Sequence, residues 1–245
     1  MKKLVLLVFS FALPLVLGNA CASLPLPLIP TPTAEPTATP QTSHPPIPVR
    51  VPRFYDSEDL QIRVGEYSQE LGTQDLQELT VLAKEMGQQK DELTPEQMFV
   101  LAIRLYDLGE KDDSVYWFYE AQFRAKLFLT SLDAHHRAEI SELTAGLLAS
   151  YDAFTQLAGE HINGYAGCDV DNWVRIAKTV KDDNPTPPAL DKLFPEAVFV
   201  EPSKWQEVND QVAAGLGVLI DQLSQTKEVI RLEREANNLD AQYCS

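Results

Sequence analysis

The sequence predicts an all-α fold: one helical, bundle-like domain of about six to seven helices, preceded by a secretory leader and a proline-rich linker. Three observations predict it. Glycine is scarce, at 11 of 245 residues. Runs of β-branched residues are missing from the region after residue 53. Apolar residues there recur three and four apart, the spacing that lines one face of an α-helix rather than the alternation of a strand.

The front end is set aside first, because a processed segment takes no part in the fold. Lys2 and Lys3 form a short positive start, and Leu4 to Leu17 are apolar apart from Ser10. That run is shorter than the ~20 residues a bilayer-spanning helix needs. It reads as a bacterial-type secretory signal over residues 1–22. Ala20-Cys21-Ala22 satisfies the small-x-small rule for cleavage after Ala22, with Ser23 as the new N-terminus. The alternative is a lipoprotein-like cut before Cys21, which would then carry the lipid, although Asn19 departs from the small or apolar residue usual there. Residues 23–53 follow as a Pro/Thr-rich linker, with ten prolines between Leu24 and Arg53. Proline fixes φ and removes a donor, so the linker is an extended, polyproline-like spacer. At ~3.1 Å per residue it reaches on the order of 90 Å. Such a reach serves a chain tied to a membrane at its start, which favours lipid attachment at Cys21.

About 190 residues remain from Phe54 onward, enough for one well-packed domain over 54–245. Twenty basic residues against 36 acidic ones leave −16, and loss of Lys2 and Lys3 with the leader deepens this to −18. A field of that sign repels phosphate backbones, so nucleic acid is not an expected partner, and it favours cationic partners. Once Cys21 is lipidated or removed, Cys168 and Cys244 are the two thiols left in an oxidising compartment, where an even pair reads as a disulfide. The other reading, a reactive Cys168 with His161 as its base, lacks any cysteine-hydrolase signature around it.

The elements follow in order. Leu76, Leu79, Leu82 and Met86 mark a first stripe entered through Thr73. LTPEQ gives the clearest start signal, with Thr94 as N-cap, Pro95 at the first helical position and Gln97 placed to complete a capping box. This second helix carries Phe99, Ile103 and Tyr106 and stops near Gly109. Asp112 is expected to cap a third through Leu132, which contains YWFY, Tyr116 to Tyr119. Adjacent residues turn by about 100°, so four neighbouring aromatics cannot share one face. Either that helix is surrounded on nearly all sides, the more common arrangement, or part of the aromatic set faces outward as a contact surface, with Tyr116 and Tyr119 the members expected to reach it. Ile140, Leu143, Leu147, Tyr151, Phe154 and Ala158 form a fourth stripe ending at Asn163-Gly164. Asp169 caps a fifth helix through Trp173, Ile176 and Val180. A proline-interrupted connection follows, with a short helix near Leu190, and Ser203 opens the last and longest helix. Its stripe is Trp205, Val208, Val212, Leu216, Leu219 and Leu223, and Gly215 and Gly217 within it suggest close helix–helix approach.

The stretch QMFVLAIRLYDLGEKDDSVYWFYEAQFRAKL, residues 97–127, resembles one Sel1-like or tetratricopeptide-type helical hairpin: a paired Leu and Tyr, a Gly turn, then an aromatic WF and an alanine in the partner helix. No second copy follows at a period of thirty-odd residues, so a repeat array is not expected. The resemblance implies a protein-binding tendency and carries over no catalytic residue.

Sites of chemistry are few. His135 and His136 adjoin, with Glu139 a turn beyond, and lack the i, i+4 histidine pair of a zincin, so no metal is expected. CDVDNW, residues 168–173, opens like a calcium loop but has Val174 and Val180 where glycine and glutamate are required. GxSxG and phosphate-cradling glycine loops are missing, and no cofactor is implied. The densest polar cluster is EHINGYAGCDVD, residues 160–171, which offers His161, Tyr165 and Asp171 as contact residues; its NG and AG dipeptides also fit a simple turn. The expected function is an exported, lipid-anchored helical module of the bacterial envelope that binds another, basic protein as a scaffold or accessory lipoprotein. An immunity-type protein neutralising a toxin is the first alternative. A cell-envelope hydrolase with unidentified carboxylates is the second.

Overall fold

A computed structural model of the chain describes residues 47–48, 61–62, 67, 69–133 and 142–244, and within 142–147 the backbone only. Cys21, the leader and most of the linker lie outside the described residues, as do His135, His136, Glu139 and Ile140 and the side chains of Leu143 and Leu147. The chain divides into Met1–Thr42 and Ser43–Ser245, and the described residues all belong to the second unit.

That unit is built from eight α-helices among the described residues: α1 Leu76–Gln88, α2 Pro95–Leu108, α3 Lys111–Ser131, α4 Glu142–Ala166, α5 Val170–Asp182, α6 Leu190–Leu193, α7 Trp205–Ala236 and α8 Leu239–Tyr243. The all-α expectation is met. Among the described residues, extended pairing is confined to Ile47–Pro48 with Gln61–Ile62 and a lone bridge between Leu132 and Phe199.

Local chemistry sets the boundaries. The Thr94 hydroxyl accepts from the Gln97 amide at 3.4 Å while the Gln97 side chain accepts from the Thr94 amide at 2.8 Å, so both ends of the capping box are made. Gly109, at φ 101°, ends α2 in the left-handed region that only glycine enters freely. Asp169 caps α5 by accepting from the Asn172 amide at 3.0 Å. Four boundaries differ from expectation. α1 is capped by Asp75, not Thr73, whose hydroxyl instead donates to Glu78. α3 starts at Lys111 without a side-chain cap, because Asp112 lies inside the first turn, where it accepts from the Tyr165 phenol. A 3-10 turn over Pro202–Lys204 precedes α7, so Ser203 caps nothing. α4 runs past Asn163-Gly164 to Ala166.

α2 and α3 form the central helical hairpin, and α2 is buried continuously from Gln97 to Tyr106. Phe99 stacks on Phe154 of α4 at 5.0 Å and meets Phe118 of α3 edge-on at 5.7 Å. Around this pair, α1 contributes Leu79, Leu82 and Met86, α5 contributes Trp173, Ile176 and Val180, and α7 contributes Val212, Leu216, Leu219 and Leu223. Full burial of one such side chain is worth about 1.5–3 kcal/mol. The proline-interrupted segment after α5 seals the lower end, where Phe128 packs on Phe194 at 4.3 Å and the Trp205 indole donates to the Val200 carbonyl at 2.9 Å. At Gly217 the nearest atom to an added Cβ is Lys181 Nζ at 3.6 Å, an ordinary contact, so close helix approach does not demand glycine there.

Candidate functional site

The segment 160–171 meets α7 and α8 at one end of the bundle. The phenol of Tyr243 on α8 donates to Glu160 at 2.8 Å, and its ring lies edge-on to His161 at 6.1 Å. Tyr106 of α2 meets His161 at 6.4 Å and Tyr165 at 6.5 Å, both edge-on. Lys111 stands over the Tyr106 and Tyr165 rings at 5.4 and 5.3 Å, a cation–π arrangement. Tyr165 donates to Asp112 at 3.0 Å. Burial, then the hydrogen-bonded carboxylate, pushes the Tyr165 and Tyr243 phenols up to about 12, so both stay protonated donors at neutral pH. His161 and Tyr165 are thus brought together as half-buried members of an aromatic cluster with Tyr106 and Tyr243, in which Tyr165 and Tyr243 already donate to acids. The hydroxyls of Tyr165 and Tyr243 are thereby committed to acids of the chain itself.

Beside it the Cys168–Cys244 disulfide is formed, with Cα atoms 5.8 Å apart. Arg234 of α7 is buried beneath it: Nη2 donates to the two sulfurs at 3.2 and 3.3 Å, Nη1 to the Gly164 carbonyl at 2.9 Å and Nε to Asp240 at 2.8 Å. The two glycines of this segment are kept small by this corner, not by a turn. A Cβ on Gly164 would lie 2.6 Å from the Tyr243 ring, and one on Gly167 would lie 2.5 Å from Arg234 Nη1. Cys168, Asp240 and Cys244 place three ligand-type atoms within 4.8 Å of one another. The sulfurs are bonded to each other and face a guanidinium, so the group is a staple rather than a metal centre.

The other expected contact residues lie elsewhere. Tyr119 is buried and donates to Asn163 at 3.0 Å, so it offers no surface. Tyr116 is half-buried, edge-on to Trp117, and donates to Asp183 at 2.9 Å. Burial raises both phenols well above their ordinary range. Asp171 is exposed and pairs with Lys227 of α7.

Sequence reasoning missed an ionic web inside the bundle. Glu120 is fully buried and accepts from Arg124 at 3.0 Å and from the Asn184 amide at 2.7 Å, with Lys90 at 3.5 Å. Arg124 also donates to Asp91 at 2.6 Å, and Asn209 donates to the Asn184 carbonyl at 2.9 Å. The web joins the α1–α2 connection, α3, the end of α5 and α7. The signal that could have found it is YWFYE itself: a helix enclosed on nearly all sides must also enclose its polar residues. Glu96, at the start of α2, is raised above its ordinary value by burial, with Tyr151 as a hydrogen-bonding neighbour.

The outward side of α7 is of a different kind. Val218, Val229 and Leu232 are 57, 54 and 51% exposed. Among the described residues no helix is long and apolar enough to cross a membrane.

No family model matches the chain, and no solved structure matches it. A Haemophilus influenzae protein described as uncharacterized is 26% identical over 163 residues, covering 62% of this chain. The match spans 58% of that protein's own length.

Proposed function

We propose that the protein is an exported, lipid-anchored helical module that binds another protein at the bacterial envelope. The observation that carries the reading is that Val218, Val229 and Leu232, the last two adjoining, stand exposed on one side of α7 among six exposed acids. Export is supported by the leader pattern and by the Cys168–Cys244 bond, because disulfides persist in oxidising compartments. The proline-rich spacer supports anchorage at Cys21, placing a binding domain at a distance from the membrane surface. The acidic balance supports a basic partner, reached by electrostatic steering.

The test is affinity capture with the tagged full chain from its host's envelope extract at low and moderate salt. A stoichiometric basic partner, released as salt rises, is the expected result. No specific partner at either salt would sink the reading. Mass determination of the mature N-terminus decides the anchor: a diacylglyceryl Cys21 is expected, and a start at Ser23 would remove it.

A further inference from the structure

We infer that the outward face of α7 is a docking seam for a basic amphipathic helix of the partner; this rests on the protein-binding reading above. At 100° per residue, Val218, Val229 and Leu232 project within a sector of roughly 60°. Exposed Gln222, Gln225 and Ala236 complete a 4-3-4-3-4 spacing with them, the spacing of a seam between paired helices. From Val218 to Leu232 the seam is about 21 Å long at 1.5 Å per residue.

Charge on α7 is sorted by side. Its six acids, Glu207, Asp210, Asp221, Glu228, Glu233 and Glu235, are all exposed, and all project within roughly 100° of the seam's centre line. Its three bases do not share that half. Lys227 turns in to Asp171 and Arg234 to Gly164 and Asp240, while Arg231 stands behind the flank between Glu228 and Glu235. Arg231 offsets one of those two charges and leaves the flank negative. A second copy would set the Asp221, Glu228 and Glu235 flank against itself when antiparallel, and Glu228 against Glu233 when parallel, which is destabilising. The proline-rich segment of this chain, with ten prolines and only Arg50 and Arg53 as bases, does not carry the sequence of a basic amphipathic helix. A helix with an apolar row flanked by Lys and Arg satisfies both features: its row covers the valines and leucine, and its flanks meet the acids.

The full chain is titrated with three fluorescent 21-residue peptides: an amphipathic helix with Leu at 3–4 spacing and Lys/Arg flanks, the same composition scrambled, and the same seam with Glu flanks. The basic helix is expected to bind at least tenfold tighter than either other peptide, with its affinity falling as salt rises. The variant Val229→Glu/Leu232→Glu changes only exposed positions and adds two negative charges. Simple charge attraction would therefore strengthen binding, whereas a seam loses at least tenfold. Equal binding of the scrambled peptide, or undiminished binding by the variant, would overturn the proposal. A concentration-dependent dimer abolished by the variant would overturn it in favour of a second copy. In envelope extract, a natural partner captured equally by the variant would remove this face while leaving the protein-binding reading intact. Capture of nothing by the unaltered chain would instead strike that reading.

Discussion

Removing the Cys168–Cys244 bond by Cys168→Ser/Cys244→Ser should destabilise the domain mainly through its unfolded state. The bond closes a loop of sequence separation 76. In the chain-entropy model a loop of that size removes about 15 cal/mol/K from the unfolded chain, or about 4.5 kcal/mol at 25 °C. For a domain of this size each kcal/mol moves Tm by roughly 2–4 °C, so a fall of about 9–18 °C is expected. The folded corner changes less, since Arg234 keeps Gly164 and Asp240 when the sulfurs are replaced by hydroxyls. Urea unfolding of the unaltered, reduced and doubly substituted protein measures both parts. Stability should drop by several kcal/mol, and the denaturant slope should rise because an uncrosslinked chain exposes more surface. A loss below about 1 kcal/mol with an unchanged slope would refute the loop-closure reasoning.

Three further outcomes follow from packing and charge. Gly164→Ala should cost about 1–3 kcal/mol by driving the Tyr243 ring from α4, whereas Gly87→Ala, whose Cβ would meet only Trp117 at 3.9 Å, should stabilise α1 by about 0.5–1 kcal/mol; urea midpoints read both signs. Glu120→Ala leaves Arg124 with Asp91 as its one acid and Lys90 with the Asp183 carbonyl, and should cost up to about 3–5 kcal/mol, while Glu120→Leu/Arg124→Met should recover much of the loss; equal losses in the two variants would contradict the buried-pair account. Glu96 titrates above its ordinary 4.5 in the folded chain, so between the two values the folded state holds more protons than the unfolded one. Its contribution is therefore fully present below about pH 4.5 and is lost as pH rises through the folded value. The stability of Glu96→Gln relative to the unaltered protein should accordingly increase between pH 4 and 7, and a flat difference would show that burial does not hold the carboxyl up.

The helices and their core faces were legible because periodicity reports burial directly. Tyr151, Phe154 and Ala158, or Trp173, Ile176 and Val180, are inside as their spacing requires. Caps were legible where one side chain reaches one amide, as at Thr94 and Asp169. They were misread where a tertiary partner competes: Asp112 serves Tyr165 rather than its own helix. The disulfide followed from counting thiols. Its surroundings did not, since the tightness at Gly164 and Gly167 depends on residues of α7 and α8 some seventy positions away, and NG reads locally as a turn. The same distance hid the Glu120 web, whose members come from four separate elements. A phenol's tolerance of water favours the surface for Tyr119; the fold gives its hydroxyl Asn163 instead.

The unbroken burial of α2 from Gln97 to Tyr106 has a consequence for how this gene can drift. Along α1, α5 and α7 a saturation-mutagenesis map should show tolerance rising and falling every three to four codons, because each of those helices keeps one side in water. Along α2 the rhythm has nothing to come from. Ten successive codons become a solid intolerant block, in which substitution is accepted only when neighbouring codons on α1, α3 or α4 change volume with it. Distant relatives should therefore preserve total bulk there more faithfully than letters.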